Sequence, residues 1–143
     1  MKCLFCEIAS GSEPAEIVYQ DAQAVAFLDH RPLFPGHVLL VPRRHMARLA
    51  DLPAGDVAAF FQTVQRLETA VERGMEADGS FIAINNIVSQ SVPHLHVHIV
   101  PRRRKDGLKG FFWPRAPYRD DAHRTETAEK IRAALAGLPS SAS

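Results

Sequence analysis

Cysteine is nearly absent from this 143-residue chain, which has only Cys3 and Cys6. Two thiols cannot make a disulfide framework, so a small secreted scaffold held by such bonds is excluded. Long apolar runs are also missing, and none approaches the ~20 residues of a membrane-spanning helix. The opening Met1-Lys2-Cys3-Leu4-Phe5-Cys6-Glu7 meets an acid too early for the apolar core of a signal peptide. No membrane partner is therefore expected, and the expected location is cytoplasmic. Neither sign of charge is in excess: 17 Lys+Arg face 16 Asp+Glu, for a formal net charge of +1. A globally basic chain that coats nucleic acid is excluded, and no nucleic-acid partner is expected, although a local basic patch stays open. The 46% hydrophobic and 23% charged fractions exclude wholesale disorder. No repeat and no second domain stand out, so one domain over residues 1–138 with a flexible tail at 139–143 is expected.

Seven histidines and ten prolines are conspicuous. Around them the pattern reads as α+β. Short β-branched or apolar runs predict strands at 17–21, 24–29, 37–42, 81–84 and 94–101. The first two are separated by Ala22-Gln23, a hairpin spacing without the Gly or Asn that tight turns prefer. His37 to Pro42 is apolar throughout, like a strand covered on both faces. Over 53–74 the period changes: Val57, Phe60, Phe61, Val64, Leu67 and Val71 recur at helical spacing, with Pro53 in the first turn and Gly74 at the end. A weaker helix is expected over 125–136, with Ala128, Ile131 and Leu135 on one face. Residues 1–12 show only a Cys-x-x-Cys and a turn at Ser10-Gly11-Ser12. The architecture expected is a mostly antiparallel sheet of about five strands, one long helix packed on it, and a C-terminal helix.

The most informative stretch is Gln90-Ser91-Val92-Pro93-His94-Leu95-His96-Val97-His98-Ile99-Val100-Pro101. Side chains on a strand alternate faces, so His94, His96 and His98 share one face while Leu95, Val97 and Ile99 take the core. A single histidine is more often a satisfied core or surface ring. Three in a row fill a core poorly, because each buried ring needs partners for both nitrogens. The row suits a metal site or phosphoryl transfer, since neutral imidazole is a good nucleophile towards phosphorus.

His-Leu-His-Val-His-Ile-Val resembles the signature of the histidine triad (HIT) family of nucleotide hydrolases and transferases. Cys3-Leu4-Phe5-Cys6-Glu7-Ile8, Ala26-Phe27-Leu28-Asp29, Pro35-Gly36-His37-Val38-Leu39-Leu40-Val41-Pro42-Arg43-Arg44-His45 and Gln90-Ser91-Val92 resemble that family's landmarks in order. The likeness covers roughly residues 1–104. It implies an enzyme in which His96 attacks the α-phosphate of a nucleotide and forms a covalent nucleotidyl-histidine. His98 would bond the bridging oxygen and act as general acid. Gln90 and Ser91, with nearby backbone amides and Asn86, would cradle the phosphate. Asp29 aligns with the residue that bonds ribose hydroxyls, although it also suits a turn before Arg31-Pro32. His37 matches a pocket position, although a strand-start histidine reads equally. Phe5, Phe27 and Leu28 either wall a base pocket or are plain core. One departure is the link Asn86-Ile87-Val88-Ser89-Gln90, which lacks glycine; β-branched Ile87 and Val88 resist positive φ.

Cys3-x-x-Cys6 alone is a weak metal signal, equally a redox pair or two thiols. In relatives with this pair, zinc is completed by residues matching His45 and His94, so the resemblance implies a structural Cys2His2 zinc and no organic cofactor. The favoured substrate is a dinucleoside polyphosphate such as diadenosine tetraphosphate. The alternatives are a nucleoside phosphoramidate, a zinc-dependent hydrolase using the three triad histidines, and a non-catalytic nucleotide-binding scaffold. Arg102-Arg103-Arg104-Lys105 either forms a solvated face or meets a second phosphate. Phe111, Phe112 and Trp113 suit an interface or core better than base stacking. The resemblance also implies a homodimer.

Overall fold

In the computed structural model, residues 2–108 and 115–140 are described. They fall into two compact units, one ending at Asp106 and one beginning at Gly107. The first unit holds α1 (Leu4–Ser10), β1 (Ile17–Gln20), β2 (Ala24–Leu28), β3 (Val38–Pro42), α2 (Val57–Gly74), β4 (Gly79–Ala83) and β5 (Val97–Arg102). The second holds α3 (Asp121–Ala136). The five strands form one sheet in the order β1-β2-β3-β5-β4, and every neighbouring pair is antiparallel. The α+β expectation holds. Among the described residues no helix is long and apolar enough to cross a membrane.

Alternation along β2 and β3 builds two cores on opposite faces of the sheet. Ala24, Ala26, Val38 and Leu40 meet Phe60, Val64, Leu67 and Val71 of α2, together with Leu95, Val97 and Ile99. Val25, Phe27, Leu39 and Val41 meet Phe5 and Ile8 of α1. The long helix packs on one face; the seven-residue α1 covers only part of the other, and a cavity remains beside it.

Several boundaries move. Helix α1 is absent from the expectation, which placed only a turn near residues 10–12. Its chain stops at Gly11, whose φ of +85° turns the chain back so that the Ser12 N–H reaches the Glu7 carbonyl at 2.9 Å. The β1–β2 turn works without Gly or Asn because the Asp21 carboxylate accepts from the Gln23 and Ala24 N–H groups at 2.7 and 2.8 Å. Residues 54–56 form a 3₁₀ turn, so α2 starts at Val57 and not at Pro53. α3 begins four residues before the expected Thr125, because the Asp120 carboxylate caps the His123 N–H at 2.7 Å. β5 starts at Val97 and not at His94: the His94 N–H turns to the Val92 carbonyl at 2.8 Å and the Leu95 N–H to Met46 at 2.7 Å. The expected alternation of faces nevertheless survives, since Leu95, Val97 and Ile99 lie in the α2 core. Phe111, Phe112, Trp113 and residues 141–143 lie outside the described residues.

The glycine-free link also departs from expectation. Ile87 and Ser89 both take positive φ, at 70° and 63°. The Val88 N–H bonds the Asn86 carbonyl at 2.8 Å, which makes Ile87 the centre of a three-residue γ-turn that β-branched residues avoid. Ile87 is 64% exposed, so little packing is lost on removing its side chain. Ile87→Gly should therefore raise stability by about 1 kcal/mol, the strain released less the extra flexibility of glycine. Urea denaturation checks this, and a lower midpoint for the variant would show that the turn is not strained.

Candidate active site and metal centre

The histidine segment and its neighbours line a cavity of about 700 Å³. Leu4, Phe5 and Ile8 of α1, Phe27 and Leu39 of the sheet, and Val92 form its apolar walls. Asp29, Ser91, His96 and His98 are its polar groups near the triad, and Glu13, Glu16 and His30 also line it. Such a shape, apolar with a few convergent polar groups, suits a small organic ligand.

The hydrogen bonds decide which ring nitrogen carries each proton, because a carbonyl can only accept and a backbone N–H can only donate. His96 Nδ1 lies 2.7 Å from the His94 carbonyl oxygen, so Nδ1 holds the proton and Nε2 keeps its lone pair. The Leu33 N–H donates to His37 Nδ1 at 3.1 Å, so the proton of neutral His37 sits on Nε2. That Nε2–H donates to His98 Nδ1 at 3.0 Å, and the proton of His98 is thereby placed on Nε2. The adjacent rings, 4.9 Å apart, thus carry opposite tautomers. One offers a lone pair and the other an N–H.

Burial disfavours the charged forms of His98 and His37. It pushes His98 down from the usual 6.5 to about 4, with His96 and His37 adding to the effect. Burial lowers His37 as well, against the pull of Asp29, whose Oδ2 lies 3.7 Å from His37 Nε2.

Beside the cavity, Cys3, Cys6, His45 and His94 bring one ligand atom each within 4.8 Å of one another. His94 Nε2 donates to the Pro42 carbonyl at 2.8 Å, so its Nδ1 lone pair faces Cys3 Sγ at 3.3 Å and Cys6 Sγ at 3.5 Å. His45 Nδ1 lies 3.4 Å from Cys6 Sγ. A tetrahedral zinc with ordinary Zn–S and Zn–N lengths has S···N edges of roughly 3.5 Å. The carbonyl behind His94 is the outer partner that fixes a ligating imidazole. Two cysteines, two histidines and these spacings fit a structural zinc. Asp29, His37 and His98 also lie within 4.8 Å of one another. There the fit fails, because the Leu33 N–H holds the His37 proton on Nε2, the nitrogen a metal would need. His94, His96 and His98 spend their Nδ1 atoms in three directions, so the triad does not converge on one ion.

Of the residues singled out in the sequence, Asp29, Ser91, His96 and His98 share the cavity, and His37 stands behind His98. Asn86 and Gln90 do not line it. Asn86 Oδ1 accepts from the Leu49 N–H at 2.9 Å. Gln90 donates its amide to the Ala47 carbonyl and accepts from the Ile87 N–H at 3.3 Å, so both ends of its side chain hold the loop. Arg102 pairs with Asp106 through two bonds of 2.6 and 3.0 Å, and none of Arg102–Lys105 lines the cavity. Leu4, Ile8, Leu39 and Val92 stood in the family landmarks without a role, and Glu13, Pro14, Ala15, Glu16 and His30 were not named; all of them line the cavity. The spacing of Leu4, Phe5 and Ile8 on one helical face is the signal that finds three of the walls.

His98 gives a stability test. In the unfolded chain it binds a proton near 6.5, in the fold only near 4. Between these values the unfolded state takes up the proton first, so acid favours unfolding. The urea midpoint should fall as pH drops from 6.5 towards 4, and His98→Gln should flatten that slope. Equal slopes for the two proteins would contradict the buried neutral ring.

Comparison with known proteins places these features. Residues 10–105 match the HIT domain. An uncharacterized HIT-like protein of Mycobacterium tuberculosis is 38% identical, over 95% of this chain and 94% of its own. The adenosine 5'-monophosphoramidase of Schizosaccharomyces pombe is 32% identical, over 82% of this chain and 86% of its own. The asymmetrical bis(5'-nucleosyl)-tetraphosphatase of the same yeast is 36% identical, over 64% of this chain and 52% of its own. Among solved structures, a HIT family member from Bacillus subtilis superposes with a TM-score of 0.85 at 29% identity, covering 99% of this chain and 100% of its own. A zinc-bound histidine triad protein from Mycobacterium smegmatis gives 0.71 at 38% identity, covering 95% and 98%. With that domain match over most of its length, and nucleotide hydrolases among its relatives, the chain belongs to the HIT family.

Proposed function

We propose that this protein is a nucleotidyl hydrolase that releases a nucleoside monophosphate through a covalent nucleotidyl-His96 intermediate. The observation that carries this reading is the pair of opposed tautomers at the cavity: a lone pair on His96 and an N–H on His98. The apolar walls, with Phe5 and Phe27 among them, take the base, and the Asp29 carboxylate accepts from the ribose hydroxyls. The α-phosphate then lies against Ser91, His96 and His98. His96 Nε2 attacks phosphorus, and the bond to the leaving group breaks as the new P–N bond forms. The Nδ1–H to the His94 carbonyl stabilises positive charge growing on the ring. His98 Nε2–H donates to the bridging atom and passes its proton to the leaving group as that bond breaks. Water then attacks the same phosphorus, gives its proton to His98 Nε2, and the P–N bond breaks to return the lone pair to His96.

The lining supports one leaving group over the other. Glu13 and Glu16 line the cavity beside Asp29, the ribose contact, and no Lys or Arg does among the described residues. A polyphosphate tail meets no cation there, whereas a neutral or cationic amine is favoured. This shifts the preference from the tetraphosphate expected from sequence to a nucleoside phosphoramidate. The relative with phosphoramidase activity also matches over more of both chains than the tetraphosphatase does.

Within this reading Gln90 and Asn86 are positioning residues that hold the loop before Ser91, unlike the phosphate contacts expected for them. Cys3, Cys6, His45 and His94 would hold a zinc that supplies no chemistry to the reaction; it would tie α1 to the segments after β3 and before β5, and its binding free energy would add to folding. The homodimer implied by the resemblance would join at β1 or β4, the two edge strands.

The test is turnover with product analysis. Wild-type protein should hydrolyse adenosine 5'-phosphoramidate faster than diadenosine tetraphosphate, and mass spectrometry of acid-quenched protein should find the chain carrying one nucleotidyl group. His96→Ala should lose at least about a thousandfold in kcat while still binding nucleotide. Unchanged turnover in that variant would sink the mechanism, and a faster tetraphosphate reaction would overturn the choice of leaving group.

A further inference from the structure

Helix α1 serves two neighbours at once. Cys3, its N-cap, and Cys6 face His45 and His94, while Leu4, Phe5 and Ile8, interleaved with them, wall the cavity. Phe5 stands edge-on to both His94 and His96, with ring centres 6.0 and 5.0 Å away. Seven residues are too few for a helix to hold itself in water. Besides the cysteines, α1 is anchored by the burial of Phe5 and Ile8 and by the Arg43 guanidinium, which donates to the Ala9 carbonyl at 2.7 Å. We propose that Cys3 and Cys6 are an oxidation-sensitive pair whose state, metal-bound thiolates or disulfide, sets how tightly the cavity holds a nucleotide. The proposal rests on the nucleotide reading of the cavity and on the zinc fit of the four ligands.

The chemistry is that of two neighbouring thiols meeting a peroxide. The two sulfurs lie within 4.8 Å of each other and both residues are partly exposed, so a small oxidant reaches them. One thiolate attacks a peroxide oxygen and becomes a sulfenic acid as hydroxide leaves; the other thiolate displaces the second hydroxide and closes the S–S bond. Two thiolates, one hydrogen peroxide and two protons give one disulfide and two waters. The sulfurs go from oxidation state −2 to −1, and both peroxide oxygens are reduced. A disulfide sulfur is no zinc ligand, so the metal leaves as the divalent ion. The sulfurs then close to about 2.05 Å from each other and turn from His45 and His94. The ties that fix α1 to both histidine segments are lost together, and Phe5, the residue between the two cysteines, loses its fixed place against His96. His96 keeps its own bond to the His94 carbonyl. The switch therefore acts on affinity ahead of chemistry.

The experiment uses the full reduced, zinc-loaded chain, with AMP and GMP as probes in calorimetric titrations. Zinc release is followed with a chromophoric chelator and free thiols with a chromogenic reagent. One equivalent of hydrogen peroxide should release the zinc, remove both thiols and weaken AMP binding about tenfold, comparable to one lost aromatic contact. Reductant plus zinc should restore all three. The affinity of the Cys3→Ser/Cys6→Ser protein, whatever its starting value, should not respond to peroxide. Loss of zinc and thiols with unchanged AMP and GMP affinity would overturn the proposal. So would an affinity loss that reductant and zinc fail to reverse, or one that also occurs in the double variant. A reduced chain that holds no zinc overturns the metal fit, and one that binds neither nucleotide overturns the nucleotide reading; the proposal falls with either.

Discussion

One hydrogen bond organises the site: the His94 carbonyl accepts the Nδ1–H of His96 at 2.7 Å. It fixes the ring's tautomer and leaves the lone pair on Nε2, the atom proposed as nucleophile. The same residue supplies the carbonyl from its backbone and, from its side chain, a candidate metal ligand, which the Pro42 carbonyl turns to face the cysteines. The candidate zinc ligands and the proposed nucleophile are therefore neighbours along one short segment. Departure from a regular strand before Val97 frees that carbonyl to turn inward.

The sheet makes this possible by burying two of its strands on both faces. Leu95, Val97 and Ile99 lock the histidine segment into the α2 core, which leaves the histidines on the side that α1 only partly covers. His37, at 2% exposure, is carried by the turn just before β3 into reach of His98. Gly36 shapes that turn: its φ is +97°, and a Cβ there would lie 2.6 Å from the Met75 side chain. Backbone donors and acceptors, not side-chain charges, then set the proton positions. Burial disfavours the charged forms of His37, His94 and His98, and these bonds give the rings their direction.

The sheet, the long helix and the shared face of His94, His96 and His98 were legible because alternation and helical spacing are local signals. Four of the cavity's polar groups, Asp29, Ser91, His96 and His98, were legible for the same reason or by resemblance. Helix α1 was not, because seven residues make barely two turns, too few for the spacing of Leu4, Phe5 and Ile8 to stand out as a period. The cavity's acidic lining was also hidden: Glu13, Glu16 and Asp29 are brought together only when the α1–β1 connection folds beside the end of β2. Gln90 and Asn86 matched a motif by position, yet their partners, Ala47 and Leu49, come from a distant loop that no local pattern reveals. Ile87 shows the converse: its aversion to positive φ is real, and the loop adopts it regardless, held by those same bonds.

Everything here depends on where four imidazole protons sit, and nitrogen NMR reads that directly. In ¹⁵N-labelled protein near pH 7, long-range proton–nitrogen correlation spectra distinguish Nδ1–H from Nε2–H rings. His96 should carry Nδ1–H as its tautomer, and His37, His94 and His98 should be neutral Nε2–H tautomers. An Nε2–H tautomer at His96, or an Nδ1–H tautomer at His98, would contradict the account at its base.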